Sequence, residues 1–453
     1  MTGTPTEACG ERELALRALR AYRRRGTFAS DALDGVLRAA RADARSSALV
    51  TAITRGVLRN MALCDFYIER MSSRPIGKIE PQVLDILRLS AYQMAFMGKI
   101  PVSAAVNEGV ALARRHANSS AAGFVNAVLR ALARSLGALP EPSGATKFET
   151  LAIKYSHPPW LVGELDAALG GEGIRELLEA NNAQPPLTVR VNTLRTDVRG
   201  AIGALGRQGI EARPHSALGE SLVLESAGNP AGICAMREGY IFVQDAASAA
   251  AAIAGRPKPG DTVLDGCAAP GGKSFAASIL MMNKGAVISR DISAEKLAAV
   301  ADGARRLGIT VINTRRADAR VPADVGEGAL ADVVYADVPC SGFGAIRRKP
   351  EIRYKQPQDL RRLPEMQLGI LSGLSTYVKP GGALMYSTCT VLRRENEDVA
   401  EEFLRRHGDF RADPFSLPGG LGEAPDGMVT LWPHIHGTDG FFICRMVRGR
   451  ASR

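Results

Sequence analysis

Two cysteines of this chain directly follow apolar runs that are typical of β-strands. Cys340 ends the motif Asp-Val-Pro-Cys after the run 332–335, and Cys389 ends the motif Ser-Thr-Cys after the run 383–386. A thiolate is a strong nucleophile that forms covalent intermediates, and an acid such as Asp337 can hold or deliver a proton beside it. These residue types at the ends of two strands indicate covalent catalysis.

A thiol pair of this kind suits the methylation of a pyrimidine base. Carbon 5 of cytosine is a poor nucleophile, but a thiolate that adds to carbon 6 makes the ring enamine-like, so that carbon 5 can attack a methyl group. A proton delivered to N3 would assist this addition, and Asp337 is placed to deliver it. Asp337 would then have to be protonated, which requires a raised pKa.

The nucleophilic cysteine also needs positive charge nearby, because an unperturbed thiol has a pKa of about 8.5. Lys273, Arg347, Arg348 and Lys349 are candidates to provide that charge. The run 347–349 could equally hold an RNA backbone or form a solvated surface. A single cysteine is usually a buried apolar side chain, but two at one strand edge favour catalysis.

A glycine-rich turn follows another apolar run, 262–265, and leads into a helical segment. Glycine lets the backbone approach a ligand closely, as in sites for dinucleotides, nucleoside triphosphates and S-adenosylmethionine. The dinucleotide pattern GxGxxG is absent, and the phosphate-binding pattern GxxxxGK[ST] fails by one residue, because Cys267 occupies its first glycine position. An S-adenosylmethionine site is therefore favoured, with a P-loop triphosphatase as the alternative. The predicted cofactor-binding residues of the turn are Cys267, Ala268, Ala269, Pro270, Gly271, Gly272 and Lys273.

Acidic residues follow the next three strand-like runs in succession. Asp291 is placed to bind the ribose hydroxyls of the cofactor, and Asp318 could bind its adenine amino group. Asp337 completes the predicted cofactor-binding set. One acid after a strand is often only a helix cap, but three after a glycine-rich turn favour a cofactor site.

The order of elements predicts how these residues meet. From about residue 245, the runs 262–265, 286–288, 310–312, 332–335 and 383–386 alternate with helical segments, which indicates a mostly parallel, doubly wound, Rossmann-like α/β sheet. Ligands bind beyond the carboxyl ends of the strands in such sheets. The cofactor turn and both cysteines are therefore expected at one edge.

Two further domains are predicted before this sheet. Residues 1–140 show helical spacing of apolar residues, and residues 151–244 mix short strands with a helix. We predict a helical bundle (1–140), a linker (141–150), a small α+β domain (151–244) and the catalytic domain (245–449). Basic residues of the bundle that could contact phosphate are Arg17, Arg20, Arg23, Arg24, Arg25, Arg114 and Arg115.

Composition narrows the class of protein. The 57 Lys and Arg residues outnumber the 47 Asp and Glu residues, so the net charge is +10 and a polyanionic partner is favoured. The seven cysteines show neither a disulfide framework nor a CxxC pair, so no metal site is expected. No signal peptide or membrane span is evident. We expect a cytoplasmic, monomeric protein without a membrane partner. The cysteines are Cys9, Cys64, Cys234, Cys267, Cys340, Cys389 and Cys444.

At these motifs the chain resembles the RNA cytosine-C5 methyltransferase family. The turn 267–273 resembles its cofactor motif, the motifs ending at Cys340 and Cys389 resemble its two catalytic motifs, and 439–442 (Asp-Gly-Phe-Phe) extends the similarity. Ser274 departs from the usual threonine but keeps the hydroxyl. Segments 86–93, 105–108 and 124–130 are similar to the RNA-binding helical domain of the antitermination factor NusB.

The resemblance implies specific roles and a substrate. It implies that Cys389 is the nucleophile and that Cys340 assists product release, whereas DNA cytosine methyltransferases attack with the Pro-Cys cysteine. The fusion with a NusB-like domain is similar to bacterial small-subunit rRNA cytosine-C5 methyltransferases, so 16S rRNA is the implied RNA partner and S-adenosyl-L-methionine the cofactor. The small α+β domain is expected to bind RNA. The alternative from another class is a non-catalytic RNA-binding factor with the same fold.

Overall fold

The computed structural model describes residues 10–25, 29–225, 230–322 and 330–450, so Cys9 lies outside the described residues. The chain divides into two compact units. One comprises Met1–Asn182 together with Arg348–Lys355, and the other comprises Ala183–Arg347 and Gln356–Arg453. The sequence-based domain boundaries stay a prediction; the compact units divide the chain after Asn182.

The first unit is helical, as predicted for its first 140 residues. Its core is built from apolar faces at helical spacing, and Ile86, Leu87 and Leu129 are fully buried in it. Side-chain caps begin some of the helices; at the start of α3, for example, the Asp43 carboxylate accepts from the Ser46 amide at 2.7 Å. The helices are α1 (Glu11–Arg25), α2 (Ala29–Ala40), α3 (Ala44–Arg59), α4 (Met61–Met71), α5 (Pro81–Phe96), α6 (Val102–His116), α7 (Ser119–Ser135), α8 (Lys147–Tyr155), α9 (Pro159–Ala168) and α10 (Ile174–Asn182).

A segment from far along the chain completes this unit. The stretch 348–355 contains a short 3-10 helix, Pro350–Tyr354, and Arg353 on it is fully buried. Arg353 Nη1 donates to the carbonyl oxygens of Tyr155 and Ser156 at 3.1 and 3.0 Å and to Asn182 Oδ1 at 2.9 Å. Burial lowers the pKa of Arg353 to about 10. Oxygen atoms of the helical unit therefore accept hydrogen bonds from the buried guanidinium group of Arg353, which lies thirteen residues after Cys340 in the sequence.

The second unit begins with a small four-stranded antiparallel sheet of order β2-β3-β1-β4. Val189 and Leu222 pair across β1 and β3 and are both buried beneath the neighbouring helices, which explains the alternation seen in the sequence. This confirms the predicted α+β character. The elements are β1 (Leu187–Val191), α11 (Val198–Gly206), β2 (Glu211–Pro214), β3 (Ser221–Glu225), α12 (Cys234–Arg237) and β4 (Ile241–Val243).

The main sheet of the second unit has the order β10-β14-β9-β8-β5-β6-β7, with β13 paired to β14. Strands β5 to β9 run parallel, and β14 is antiparallel to β9, so the sheet is mixed. The elements are α13 (Ala246–Ala254), β5 (Thr262–Asp265), α14 (Gly272–Leu280), β6 (Ala286–Asp291), α15 (Ala294–Leu307), β7 (Ile312–Arg316), β8 (Ala331–Asp337), α16 (Pro357–Leu360), α17 (Leu363–Ser375), β9 (Val378–Thr388), α18 (Glu397–Arg406), β10 (Phe410–Ala412), β11 (Phe415–Leu417), β12 (Gly422–Ala424), β13 (Met428–Leu431), α19 (Pro433–His436) and β14 (Phe441–Arg448).

The third predicted strand was misplaced. The apolar run 310–312 favoured a strand there, but β7 begins at Ile312 and continues through polar residues to Arg316. Among the described strands, β7 pairs with β6 alone and forms an edge of the sheet, and most of its side chains are exposed. Edge strands carry charged residues, and an apolar pattern therefore fails to locate them.

Candidate active site

The carboxyl ends of the parallel strands bring the predicted residues to one edge of the sheet. Asp265 on β5 is level with Tyr335 on β8, and Asp337 on β8 is level with Ser387 on β9. Cys389 follows that serine by two residues. The expectation that the cofactor turn and both cysteine motifs share one edge agrees with this register.

The two cysteines meet at this edge. Cys340 Sγ and Cys389 Sγ lie 3.2 Å apart, and both residues are partly exposed. The hydrogen bond from the Cys340 thiol lowers the pKa of Cys389, and Lys273 lowers it further. The same contact, with burial, raises the pKa of Cys340. The pair is therefore polarised, with Cys389 as the more readily ionised thiol.

Lys273 links the cofactor turn to the thiols. Lys273 Nζ lies 2.6 Å from Asp337 Oδ2 and 5.0 Å from the centre of the Phe441 ring, and its side chain is only 4 % exposed. The Ser387 hydroxyl donates to Asp337 Oδ1 at 2.9 Å. Lys273 thus supplies the positive charge that the sequence required, and Asp337 has two donors while its side chain stays 33 % exposed.

The other cations proposed for this role are placed differently. Arg347 is buried and donates from Nε to Asp439 Oδ1 at 2.7 Å and from Nη2 to the Gly437 carbonyl at 3.0 Å. Its charge is paired with Asp439, so Lys273 is the one of the four candidate cations that lowers the pKa of Cys389. Arg348 and Lys349 belong to the helical unit.

Backbone contacts hold the loops that carry the thiols. The Gly344 amide donates to the Cys389 carbonyl at 3.0 Å, and the Gly440 amide donates to the Gly344 carbonyl at 2.8 Å. A Cβ atom on Gly344 would collide with the Gly440 backbone. Glycine is required here because two backbones approach closely.

A polar cluster that the sequence did not reveal supports the Pro-Cys loop from below. Glu395 Oε2 accepts from the Ser341 amide at 2.8 Å and from Gln367 Nε2 at 3.0 Å, and Gln367 also donates to the Pro339 carbonyl at 3.1 Å. Residues 28 to 54 positions apart along the chain make these contacts, so local sequence carried no signal for them.

The cofactor turn is held rigidly at the start of α14. The Ala268 amide donates to the Arg290 carbonyl at 2.8 Å, and Gly271 adopts φ +108°, a conformation that glycine permits. Below the turn, the Ser274 hydroxyl donates to Asp265 Oδ2 at 2.7 Å. Burial raises the pKa of Asp265 to about 6.

The donor set fits a nucleoside with hydroxyl and amine groups better than a triphosphate. The Gly266 amide donates to the Tyr335 carbonyl at 2.9 Å, and Lys273 is paired with Asp337, so neither is free to cradle a phosphate. Asp291 ends β6, and Asp318 follows β7. Arg320 donates to Asp318 from Nε and Nη2, which lowers the pKa of Asp318.

Comparison with known proteins identifies the chain. Residues 252–447 match the family model described as 16S rRNA methyltransferase RsmB/F, residues 157–230 match the RsmF/B-like ferredoxin-like domain, and residues 10–134 match the NusB family. The probable ribosomal RNA small subunit methyltransferase B of Bacillus subtilis (strain 168) is 38% identical over 445 residues, which are 96% of this chain and 98% of the relative.

The chain belongs to the RsmB/F family of 16S rRNA methyltransferases. A relative of the same printed name from Synechocystis sp. is 33% identical over 444 residues, again covering 96% of this chain and 98% of the relative. The solved structure titled PH0851 covers 98% of this chain and 100% of its own, with a TM-score of 0.80 and 26% identity. A methyltransferase homolog from Pyrococcus horikoshii covers 67% of this chain and 100% of its own, with a TM-score of 0.58 and 26% identity.

These comparisons confirm the family resemblance, the NusB-like helical domain, the small ferredoxin-like domain and the methyltransferase fold. The family also confirms S-adenosyl-L-methionine as the cofactor and RNA as the class of substrate. The monomeric state stays a prediction.

No group of three or more side chains that could hold a metal ion occurs within residues 10–25, 29–225, 230–322 and 330–450. Within those ranges, no helix combines the length and apolar character needed to cross a membrane.

Proposed function

We propose that this family member methylates carbon 5 of a cytosine in 16S rRNA, with Cys389 as the nucleophile and Cys340 as the thiol that assists product release. The observation that carries the proposal is the 3.2 Å contact between the two sulfurs beside the Lys273–Asp337 pair. One thiol would suffice to form a covalent adduct with the base. A second thiol at hydrogen-bond distance suits a reaction in which that covalent bond must also be broken to release the product.

The residues act in sequence on the base. The Cys389 thiolate forms a bond to carbon 6, and the electrons of the 5,6 double bond shift toward carbon 5. Lys273 Nζ lies 2.6 Å from Asp337 and can give it a proton. Asp337 can pass this proton to N3 as negative charge develops on the ring. When bound, S-adenosylmethionine supplies the methyl group that carbon 5 accepts. The carbon 5 proton passes to water, and N3 returns its proton to Asp337. The bond between carbon 6 and Cys389 then breaks with its electron pair on sulfur, and Cys340 assists this release, so that the aromatic ring and the thiolate are restored.

The cofactor-binding role falls to the remaining predicted residues. The rigid turn 267–273 would contact the cofactor through backbone, as its glycine conformation and its hydrogen bond to β6 allow. We propose that Asp291 binds the ribose hydroxyls and Asp318 the adenine amino group, and that Asp337 faces both cofactor and base.

A covalent trap tests the assignment of the two cysteines. Cys340→Ala should accumulate an enzyme–RNA adduct that survives denaturing electrophoresis, because the bond to Cys389 forms but is resolved slowly. Cys389→Ala should form no adduct. An adduct with Cys389→Ala and none with Cys340→Ala would exchange the two roles.

A second measurement tests the product itself. Bisulfite sequencing of total RNA from cells with and without the gene should show one or more protected cytosines in 16S rRNA that are lost in the deletion. Methyl transfer to RNA without any protected cytosine would overturn the assignment to carbon 5. No methyl transfer at all would favour the non-catalytic RNA-binding alternative.

A further inference from the structure

Two adjacent arginines, Arg361 and Arg362, lie just before α17. Arg361 and Arg362 are exposed, and within the described residues their guanidinium groups make no hydrogen bond, ion pair or ring contact. Several other arginines on this unit form ion pairs within the fold. Examples of such pairs are Arg393–Asp398, Arg405–Glu402, Arg406–Glu402, Arg445–Asp413 and Arg448–Asp409.

The position of this pair follows from the helix that it precedes. Gln367 on α17 donates to the Pro339 carbonyl, so the second turn of α17 touches the residue before Cys340. Arg362 precedes Gln367 by five residues, which is about 8 Å along a helix axis. Because α17 leads into the amino end of β9, its own start lies at the edge where Cys389 follows the carboxyl end of β9. The start of α17, with Arg361 and Arg362, therefore lies at the sheet edge that carries the thiols.

No acidic side chain of the described structure forms an ion pair with Arg361 or Arg362. Two positive side chains at the start of a helix oppose the helix dipole, which favours anions at that end. Asp359 and Glu365 are close in sequence, but neither forms an ion pair with Arg361 or Arg362 in the described structure. An external anion would remove this unfavourable arrangement, and guanidinium groups match phosphate geometry.

We propose that Arg361 and Arg362 bind backbone phosphates of the RNA strand beside the target cytosine. The inference rests on the proposed RNA-methylating function. It identifies a contact that holds the RNA strand at the sheet edge that carries Cys340 and Cys389. Phosphate contacts fix the register of a nucleic acid without reading its sequence. A target base at the thiols would thus be positioned by the strand that passes over the start of α17.

Salt dependence of RNA binding tests this inference without any turnover. The dissociation constant of 16S rRNA transcribed in vitro is measured from about 50 to about 200 mM salt for the intact protein and for Arg361→Ala/Arg362→Ala. The slope of log affinity against log salt should fall by about 1.4, since each lost single-strand phosphate contact removes about 0.7. The ratio of the RNA affinity of the intact protein to that of the variant should therefore fall about sevenfold across that range of salt concentration.

Two variants make the result specific. Arg405→Ala/Arg406→Ala removes the same charge at the end of α18 and should keep the original slope. The strand that follows α18, β10, pairs with the end of β14 that lies level with the amino end of β9, away from the thiols. Arg361→Lys/Arg362→Lys should also keep most of the slope. An unchanged slope in the alanine pair, or an equal fall in the α18 control, would overturn the proposal. Failure of methylation at carbon 5 would leave the slope untouched, so the two proposals fail separately.

Discussion

Two pairs of cysteines in this molecule carry the same functional group in opposite environments. Cys64 on α4 and Cys444 on β14 are fully buried in apolar cores, and burial raises the pKa of each thiol. Cys340 and Cys389 lie at the open edge of the main sheet, where a hydrogen bond between them and the charge of Lys273 lower the pKa of Cys389. Reactivity therefore comes from position at the strand ends and from neighbours, since the residue type is constant.

The largest expected difference between the two environments is in catalysis. Cys389→Ala should reduce methyl transfer at least about 10³-fold, because removal of a covalent nucleophile leaves only binding and electrostatics. Cys444→Ala should retain the original rate within about threefold, since that thiol contacts no reacting group. Initial rates with labelled cofactor and 16S rRNA measure both. Comparable losses in the two variants would erase the distinction between edge and core thiols.

The next largest effect concerns Lys273, whose positive charge distinguishes the environment of Cys389 from those of the buried cysteines. Lys273→Met removes the ammonium group that contacts Asp337 and lowers the pKa of Cys389, so kcat/KM should fall about 10²-fold. The pH at which the rate reaches half its maximum should also move upward, because less of Cys389 is then thiolate at a given pH. A loss of rate without a change in the pH profile would assign Lys273 to cofactor binding alone.

Alkylation measures the thiols without RNA or turnover. Because the pKa of Cys389 is lowered, its reaction with iodoacetamide should begin at lower pH than that of a free cysteine, and the rate should rise as the pH passes through the lowered pKa. In Cys340→Ala the hydrogen-bond donor is lost, so this midpoint should shift to higher pH. Peptide mass spectrometry follows each site. Cys64 and Cys444 serve as internal controls and should react only after unfolding.

The smallest expected difference between the two cysteine environments is in the free energy of unfolding. Cys444→Ala removes a buried sulfur that lies across from Tyr386 on the neighbouring strand, and the small cavity should cost about 1 kcal/mol of unfolding free energy. Cys389→Ala should cost less, because its side chain is partly exposed. Urea denaturation of both variants checks the order. A greater loss of stability in Cys389→Ala would indicate that the edge thiols also hold the fold.

Local patterns predicted much of the fold because they depend on neighbours in sequence. Apolar runs located β5, β6, β8 and β9, and the rule that parallel strands share a carboxyl edge placed Cys340 and Cys389 together. Strand β7 escaped because its exposed polar residues lack the pattern. Arg347 was one of four candidate cations for the thiols, and its partner in the structure, Asp439, lies 92 residues away.

The sequence by itself determined the chemical groups, the succession of most strands along the chain and the glycine-rich cofactor turn, because these follow from residue type and short-range spacing. Only the tertiary structure decided that Lys273 faces Asp337, that Cys340 donates to Cys389, and that residues 348–355 join the helical unit. Such contacts join residues tens to hundreds of positions apart. Their geometry depends on how whole elements pack, and no local pattern encodes that packing.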